Sequence, residues 1–253
     1  MRVLETILAA KQSELADLRA RPLPSPPARR PLALARGVGE PLRIIAEIKF
    51  RSPSAGPLST RLSVAERARR YEQSGARMIS VLCDARFFDG SYEHLAEARS
   101  SCSLPLLCKE FVVDEVQLDL ARAFGADAVL LIVRCLTPER LTELVAAAKA
   151  RDLVPFVEVA TQEEVPLALD AGAELVGVNS RDLDTLSMDG ARAEAILSEL
   201  PQGVTRVQLS GLGSPEAVAR VARSRADAAL IGEALMRLDD PSPLLSELVA
   251  QAR

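Results

Sequence analysis

From Arg43 to the end of the chain, short apolar runs alternate with amphipathic stretches. The runs, rich in Val, Ile and Leu, fall at Ile44–Lys49, Met78–Leu82, Leu104–Lys109, Ala128–Val133, Val154–Glu158, Leu175–Asn179, Val204–Leu209 and Ala228–Ile231. Their length and continuous hydrophobicity predict strands buried on both faces. Between them, apolar residues recur at helical spacing over Val64–Ser74, Tyr92–Ser100, Glu115–Phe124, Pro138–Arg151, Glu163–Ala171, Ala191–Leu200, Pro215–Arg223 and Pro243–Ala252. Strands separated by crossover helices make a parallel sheet.

A weak internal repeat supports this pattern. The same helix exit recurs at Gly75–Ala76, Gly125–Ala126, Gly172–Ala173 and, with Arg in place of Gly, Arg225–Ala226, each leading into a strand. Glycine suits the left-handed position that ends a helix. The interval is about 50 residues, two strand–helix units, so about eight units fill about 210 residues, as in a (β/α)8 barrel. No G-x-G-x-x-G follows the first strand, which argues against a dinucleotide-binding open sheet.

Before the first strand, Leu4, Ile7, Leu8, Leu15 and Leu18 mark one face of a helix whose other face carries Glu5, Lys11, Glu14, Asp17 and Arg19. Such a helix must lie on something. It stops at Arg21–Pro22, and Pro22, Pro24, Pro26, Pro27 and Pro31 predict an extended connector rather than a core element. The expected fold class is therefore α/β, a (β/α)8 TIM barrel over residues 43–253, with an N-terminal helical extension over residues 1–42.

Composition narrows the function. The net charge of -4 and an aromatic content of 3% without Trp argue against nucleic acid or an anionic membrane as partner. An anion site must then be local. Cys83, Cys102, Cys108 and Cys135 show no C-x-x-C spacing and read as reduced thiols, and the single histidine, His94, is expected at an exposed helix position, so no metal is expected. No signal peptide and no membrane-length apolar run is present, which predicts a cytoplasmic protein.

The candidate chemistry sits where the strands end, which in a barrel is the catalytic face. Glu47 and Lys49 are two residues apart on the first strand, so their side chains point the same way. Arg51, Ser52, Pro53 and Ser54 follow as a basic, hydroxyl-bearing loop suited to an anion. Strand three ends with Lys109 and Glu110, strand five with Glu158, strand six with Asn179 and Arg181, and strand seven with Ser210 and Gly211. Ser210–Gly211–Leu212–Gly213 after strand seven and Gly232–Glu233 opening a short helix after strand eight predict a phosphate site built on backbone N–H groups.

These residues resemble the indole-3-glycerol phosphate synthase family across nearly the whole chain. The matching motifs are Ala46–Glu47–Ile48–Lys49 with Ser52–Pro53–Ser54, Phe87–Phe88–Asp89–Gly90–Ser91, and Cys108–Lys109–Glu110–Phe111 with Asp114–Glu115. Val157–Glu158–Val159, Gly177–Val178–Asn179–Ser180–Arg181–Asp182–Leu183, Ser210–Gly211 and Leu230–Ile231–Gly232–Glu233–Ala234–Leu235–Met236–Arg237 complete the set. The resemblance implies a carboxy-lyase of tryptophan or related indole biosynthesis, acting without a cofactor on a small phosphorylated substrate, as a monomer or homodimer. It implies Lys109 as general acid, Lys49 sharing proton transfer, Glu158 as base and Glu47 and Asn179 completing the catalytic group. Arg51, Ser52, Phe111, Arg181 and Ser210 are the implied substrate contacts, and Gly211, Gly232 and Glu233 the phosphate contacts. Burial and neighbouring ammonium groups are expected to lower a lysine pKa.

Two positions depart from the family pattern. Strand seven typically ends Glu–Ser–Gly but here reads Leu209–Ser210–Gly211, and Asn–Asn–Arg–Asp has become Asn179–Ser180–Arg181–Asp182. The loss of a carboxylate at Leu209 predicts weak synthase activity and keeps open a low-activity or non-catalytic paralogue that binds a phosphorylated ligand. Phosphoribosylanthranilate isomerase, a further alternative on the same barrel, wants a cysteine at the end of strand one, where this chain has Glu47 and Lys49.

Overall fold

The computed structural model describes residues 3–52, 56–181 and 187–252. Eight parallel strands close into a barrel: β1 (Arg43–Ile48), β2 (Met78–Leu82), β3 (Leu106–Lys109), β4 (Ala128–Ile132), β5 (Val154–Val159), β6 (Leu175–Asn179), β7 (Thr205–Leu209) and β8 (Ala228–Ile231). Each pairs with its sequence neighbours, and β1 closes the ring against β8 through Arg43 opposite Ala228 and Ala46 opposite Ile231. This is the TIM barrel expected from the alternation. Leu104 and Val133 fall outside the strands; Val133–Cys135 instead form a turn of 3₁₀ helix.

The helices are α1 (Val3–Ala20), α2 (Val64–Gln73), α3 (Ala85–Phe88), α4 (Tyr92–Ser101), α5 (Glu115–Ala123), α6 (Pro138–Ala150), α7 (Glu164–Asp170), α8 (Gly190–Glu199), α9 (Pro215–Ala222), α10 (Glu233–Met236) and α11 (Ser242–Gln251). Their starts are specified locally. Ser63 with Glu66 and Asp114 with Gln117 form capping boxes, while Thr137–Pro138 and Ser214–Pro215 place a capping hydroxyl before a proline at the first helical position. The short α3 and a two-stranded antiparallel ribbon, Arg51–Ser52 against Gly56–Pro57, carry no periodic signal and were not expected.

Strand alternation divides the core in two. One apolar cluster lies between barrel and helices; the other fills the barrel with Ile45, Met78, Leu107, Leu130, Phe156, Leu175, Val207 and Leu230 among others. Residues two positions further along the same strands, such as Glu47, Lys109 and Glu158, therefore emerge at the barrel mouth.

The N-terminal segment closes both ends of that interior. Leu4 and Ile7 of α1 join the inner cluster from the mouth, and Leu34 joins it from the opposite end. The connector is held there by Asp127 and Asp227, whose carboxylates accept the backbone N–H groups of Arg30 and Arg36 at 2.6 and 3.3 Å. The same two carboxylates accept the N–H groups of Leu106 and Arg206, each at 2.8 Å. The proline-rich stretch is thus a core contributor at Leu34, contrary to the expectation of a mere connector; one buried leucine contributes roughly 1.5–3 kcal/mol. His94 is also not exposed: it is half-buried, edge-on to Phe50 with ring centroids 5.3 Å apart, and burial lowers its pKa. The four cysteines are free thiols. No helix among the described residues is long and apolar enough to cross a membrane.

Candidate active site

The mouth of the barrel holds a cavity of about 460 Å³, roofed by Val3, Leu4 and Ile7 of α1. Of the expected site residues, Glu47, Lys49, Ser52, Lys109, Phe111, Glu158, Asn179, Arg181, Ser210, Gly211, Gly232 and Glu233 all line it. Residues from six strand ends therefore meet in one space. Arg51 does not line it. The ribbon turns the Arg51 guanidinium outward, 44% exposed, to an ion pair with Asp89 at 3.2 Å. Pro53 and Ser54, and Asp182 and Leu183 of the strand-six motif, lie outside the described residues.

Two ammonium–carboxylate pairs organise the polar floor. Lys49 Nζ donates to Glu47 Oε1 at 2.7 Å, and Ser80 Oγ donates to Glu47 Oε2 at 3.4 Å. Lys109 Nζ lies 3.4 Å from Glu158 Oε2, and Asn179 Nδ2 donates to Glu158 Oε1 at 2.8 Å. Asn179 Oδ1 in turn accepts the Arg181 N–H at 3.0 Å, which fixes the amide orientation. Asn179 thus orients the Glu158 carboxylate rather than standing apart from it.

Burial alone would raise the Glu47 carboxyl, but the ammonium groups of Lys49 and Lys109 and the hydrogen bonds from Lys49 and Ser80 outweigh it, and the net shift is downward. Burial pulls Lys109 down, yet Glu158 and Glu47 outweigh that and hold it above the ordinary lysine value. The expected lowering of a lysine pKa is therefore overturned for Lys109. Two carboxylates face it, and their attraction for the charged form exceeds the desolvation cost.

The end of β7 is conformationally unusual. Ser210 and Gly211 are both left-handed, at φ 64° and 72°, so two consecutive residues turn the backbone toward the pocket. Ser180 Oγ donates to the Leu209 carbonyl at 3.0 Å and lies 3.3 Å from that of Ser210, bracing this turn. The two positions that depart from the family pattern are thus in contact. Leu209 itself is buried in the inner cluster and faces Asn179 across the sheet; the side chain meets the space above Gly177, where a Cβ would lie 2.8 Å from Leu209 Cδ1 and 2.7 Å from Phe156.

Across the mouth, Gly232 precedes α10, whose first N–H groups have no partner within the helix. The Glu233 carboxylate is turned to Arg237 at 2.7 Å, so what it can offer an anion is its backbone N–H, not its side chain. Sequence reasoning missed the apolar lining of Leu82, Leu130, Ile132 and Leu230, which strand alternation signals. That the leading helix through Lys11 and Glu14 borders the barrel mouth is implied by the family resemblance and is borne out; that Val3, Leu4 and Ile7 are the residues it lays there is not signalled locally.

Comparison with known proteins agrees with this geometry. The family model described as indole-3-glycerol phosphate synthase matches residues 2–248. The protein named indole-3-glycerol phosphate synthase 2 of Streptomyces coelicolor is 45% identical over 239 residues, spanning 94% of this chain and 90% of that protein. The indole-3-glycerol phosphate synthase of Exiguobacterium sp. is 40% identical over 248 residues, spanning 98% of this chain and 96% of its own. Among solved structures, 3-hexulose-6-phosphate synthase from Salmonella typhimurium superposes with a TM-score of 0.66 at 14% identity, covering 84% of this chain and all of that one, a likeness of fold alone. With a closed barrel, lysine–glutamate pairs at its mouth and relatives matched almost end to end, the chain belongs to the indole-3-glycerol phosphate synthase family.

Proposed function

We propose that the protein closes the indole ring of indole-3-glycerol phosphate from 1-(2-carboxyphenylamino)-1-deoxyribulose 5-phosphate, releasing carbon dioxide and water. The observation that carries this reading is the arrangement of Lys109–Glu158 and Lys49–Glu47 around one cavity with apolar walls. A planar aromatic ring fits between Phe111, Leu130 and the α1 roof, while the charged floor faces the reacting chain.

The ring carbon that bears the carboxylate attacks the ribulose carbonyl, and Lys109, protonated at neutral pH, delivers a proton to the developing alkoxide. Loss of carbon dioxide returns its bonding electrons to the ring and restores aromaticity. A second proton then lets the new hydroxyl leave as water, with Lys49 able to supply it, while Glu158 removes a proton from the adjacent methylene carbon. Two protons go to the departing oxygen and one is recovered, so one net proton comes from solvent. Asn179 holds Glu158 and Glu47 holds Lys49 for these steps. Ser210, Gly211, Gly232 and the N–H of Glu233 form the phosphate end, and Ser52 and Arg181 complete the contacts. Every residue named comes from one chain, and no step requires a cofactor.

The test is direct. Purified protein mixed with the carboxyphenylamino substrate should generate indole fluorescence, and the absence of any product at saturating substrate would overturn the reading.

A further inference from the structure

We infer that Lys11, on the helix outside the barrel, is a positioning residue of the pocket: its ammonium ties Asp84 and Glu110 together and so sets the α1 roof against the walls carried by Phe88 and Phe111. The inference rests on the reading that this pocket takes the substrate above.

Lysine on an amphipathic helix ordinarily keeps its ammonium in water. The side chain of Lys11 is 2% exposed, with Nζ 2.6 Å from Asp84 Oδ2, 2.8 Å from Glu14 Oε2 and 3.2 Å from Glu110 Oε1. Asp84 and Glu110 come from the ends of two neighbouring strands, β2 and β3, and each uses its carboxylate a second time. Asp84 Oδ1 accepts the Phe87 N–H at 2.6 Å as the cap of α3, the helix that carries Phe88. Glu110 Oε1 accepts the Phe111 N–H at 2.7 Å and follows Lys109 directly. Phe88 and Phe111 both line the cavity, their ring centroids 6.0 Å apart. On α1, Leu4 and Ile7 lie seven and four residues before Lys11, on the same face, and line the cavity too. One ammonium therefore links three of the elements that enclose the apolar part of the pocket.

Charge supports a tie under tension. Three carboxylates share one ammonium, and burial with the neighbouring Asp84 charge pushes Glu110 up to about 7 despite the pull of Lys11. Removing the ammonium leaves two buried carboxylates to repel each other and part the walls. Toward its other end α1 is held separately, by Arg19 to Asp114 at 2.7 Å, so the roof lifts while the rest stays docked.

The protein and its Lys11→Met variant are compared for kcat, KM, affinity for the fluorescent product and thermal midpoint. A second variant, Lys11→Met with Glu110→Gln, lacks the tie but holds less unpaired charge and so remains folded where the single variant does not. In either variant KM and the product Kd should rise at least about tenfold, with kcat changed by less than about threefold, the split expected when uniform binding is lost. A folded variant with KM and Kd within twofold of wild type would overturn the inference, whatever its thermal midpoint, as would a loss of kcat at unchanged KM. Product affinity is measured without turnover, so a wild type lacking activity would count against the proposed function and still leave the role of Lys11 tested.

Discussion

The carboxylate of Glu47 occupies the place where a side chain on Gly232 would go. A Cβ built on Gly232 would overlap Glu47 Oε1 and lie 3.1 Å from its Cδ. Glu47 stands on β1 and Gly232 directly follows the adjacent β8, and Glu47 cannot retreat freely because Lys49 and Ser80 hold it. The glycine that precedes α10 thus makes room for the carboxylate that positions a lysine.

Gly232→Ala should therefore disturb catalysis through Glu47. We expect kcat to fall about tenfold or more, about 1.4 kcal/mol in the barrier. Gly232→Val adds two methyls toward the phosphate end, and competition by inorganic phosphate should weaken together with kcat. Steady-state kinetics on folded variants decide it: an unchanged kcat in Gly232→Ala would show that the position of Glu47 is not critical.

Lys109→Ala should lower kcat by about 10²-fold or more with little change in KM, as for a proton donor used mainly in the transition state. Its raised pKa also makes a pH prediction. A lysine held above its ordinary value keeps its proton throughout the neutral and mildly alkaline range, so loss of that proton cannot produce a basic limb in kcat/KM of the free enzyme there. A basic limb near pH 8 that disappears in Lys109→Arg would contradict this assignment.

Leu209 is the strongest departure from the family pattern, and its packing gives the consequence of reverting it. Leu209 lines the cavity, but its side chain packs into the inner cluster with Phe156 and Leu230, so a carboxylate here would sit between apolar neighbours and the pocket, with its backbone carbonyl already engaged by Ser180. Leu209→Glu should then cost about 1–3 kcal/mol of stability, as for a poorly partnered buried polar group, with no gain in turnover. Joint measurement of kcat and thermal midpoint is informative here. A tenfold rise in kcat would instead identify Leu209 as the site of a missing catalytic carboxylate, the outcome expected from the motif alone.

Glu110 makes stability depend on pH in an unusual direction. Its pKa rises from 4.5 unfolded to about 7 folded, so between these values the folded state holds more proton than the unfolded one. Stability from this group is present below pH 4.5 and is lost as pH rises toward 7. Glu110→Gln removes the effect, and so should gain on wild type by about 1.4 kcal/mol for each pH unit crossed in that window. Urea unfolding of both proteins at pH 5 and pH 8 checks the sign; a gap that narrows with rising pH would refute it.

The barrel was legible because its signals are local. Buried strands, capping residues such as Ser63 and Asp114, and glycines at helix exits act within a few residues, and strand bounds such as Met78–Leu82 and Leu175–Asn179 follow from them alone. The catalytic face was legible for a related reason: period-two alternation forces Glu47 and Lys49, or Phe156 and Glu158, to one side of the sheet. What only the tertiary structure decided are relationships between residues far apart in the chain. These include the burial of Lys11 between Asp84 and Glu110, the retention of charge on Lys109 by Glu158, and the turning of Arg51 away toward Asp89. They also include the room that Gly232 leaves for Glu47. Such outcomes depend on competition between desolvation and partner charges, and those partners are brought together only when the chain has closed the barrel and laid its first helix over the mouth.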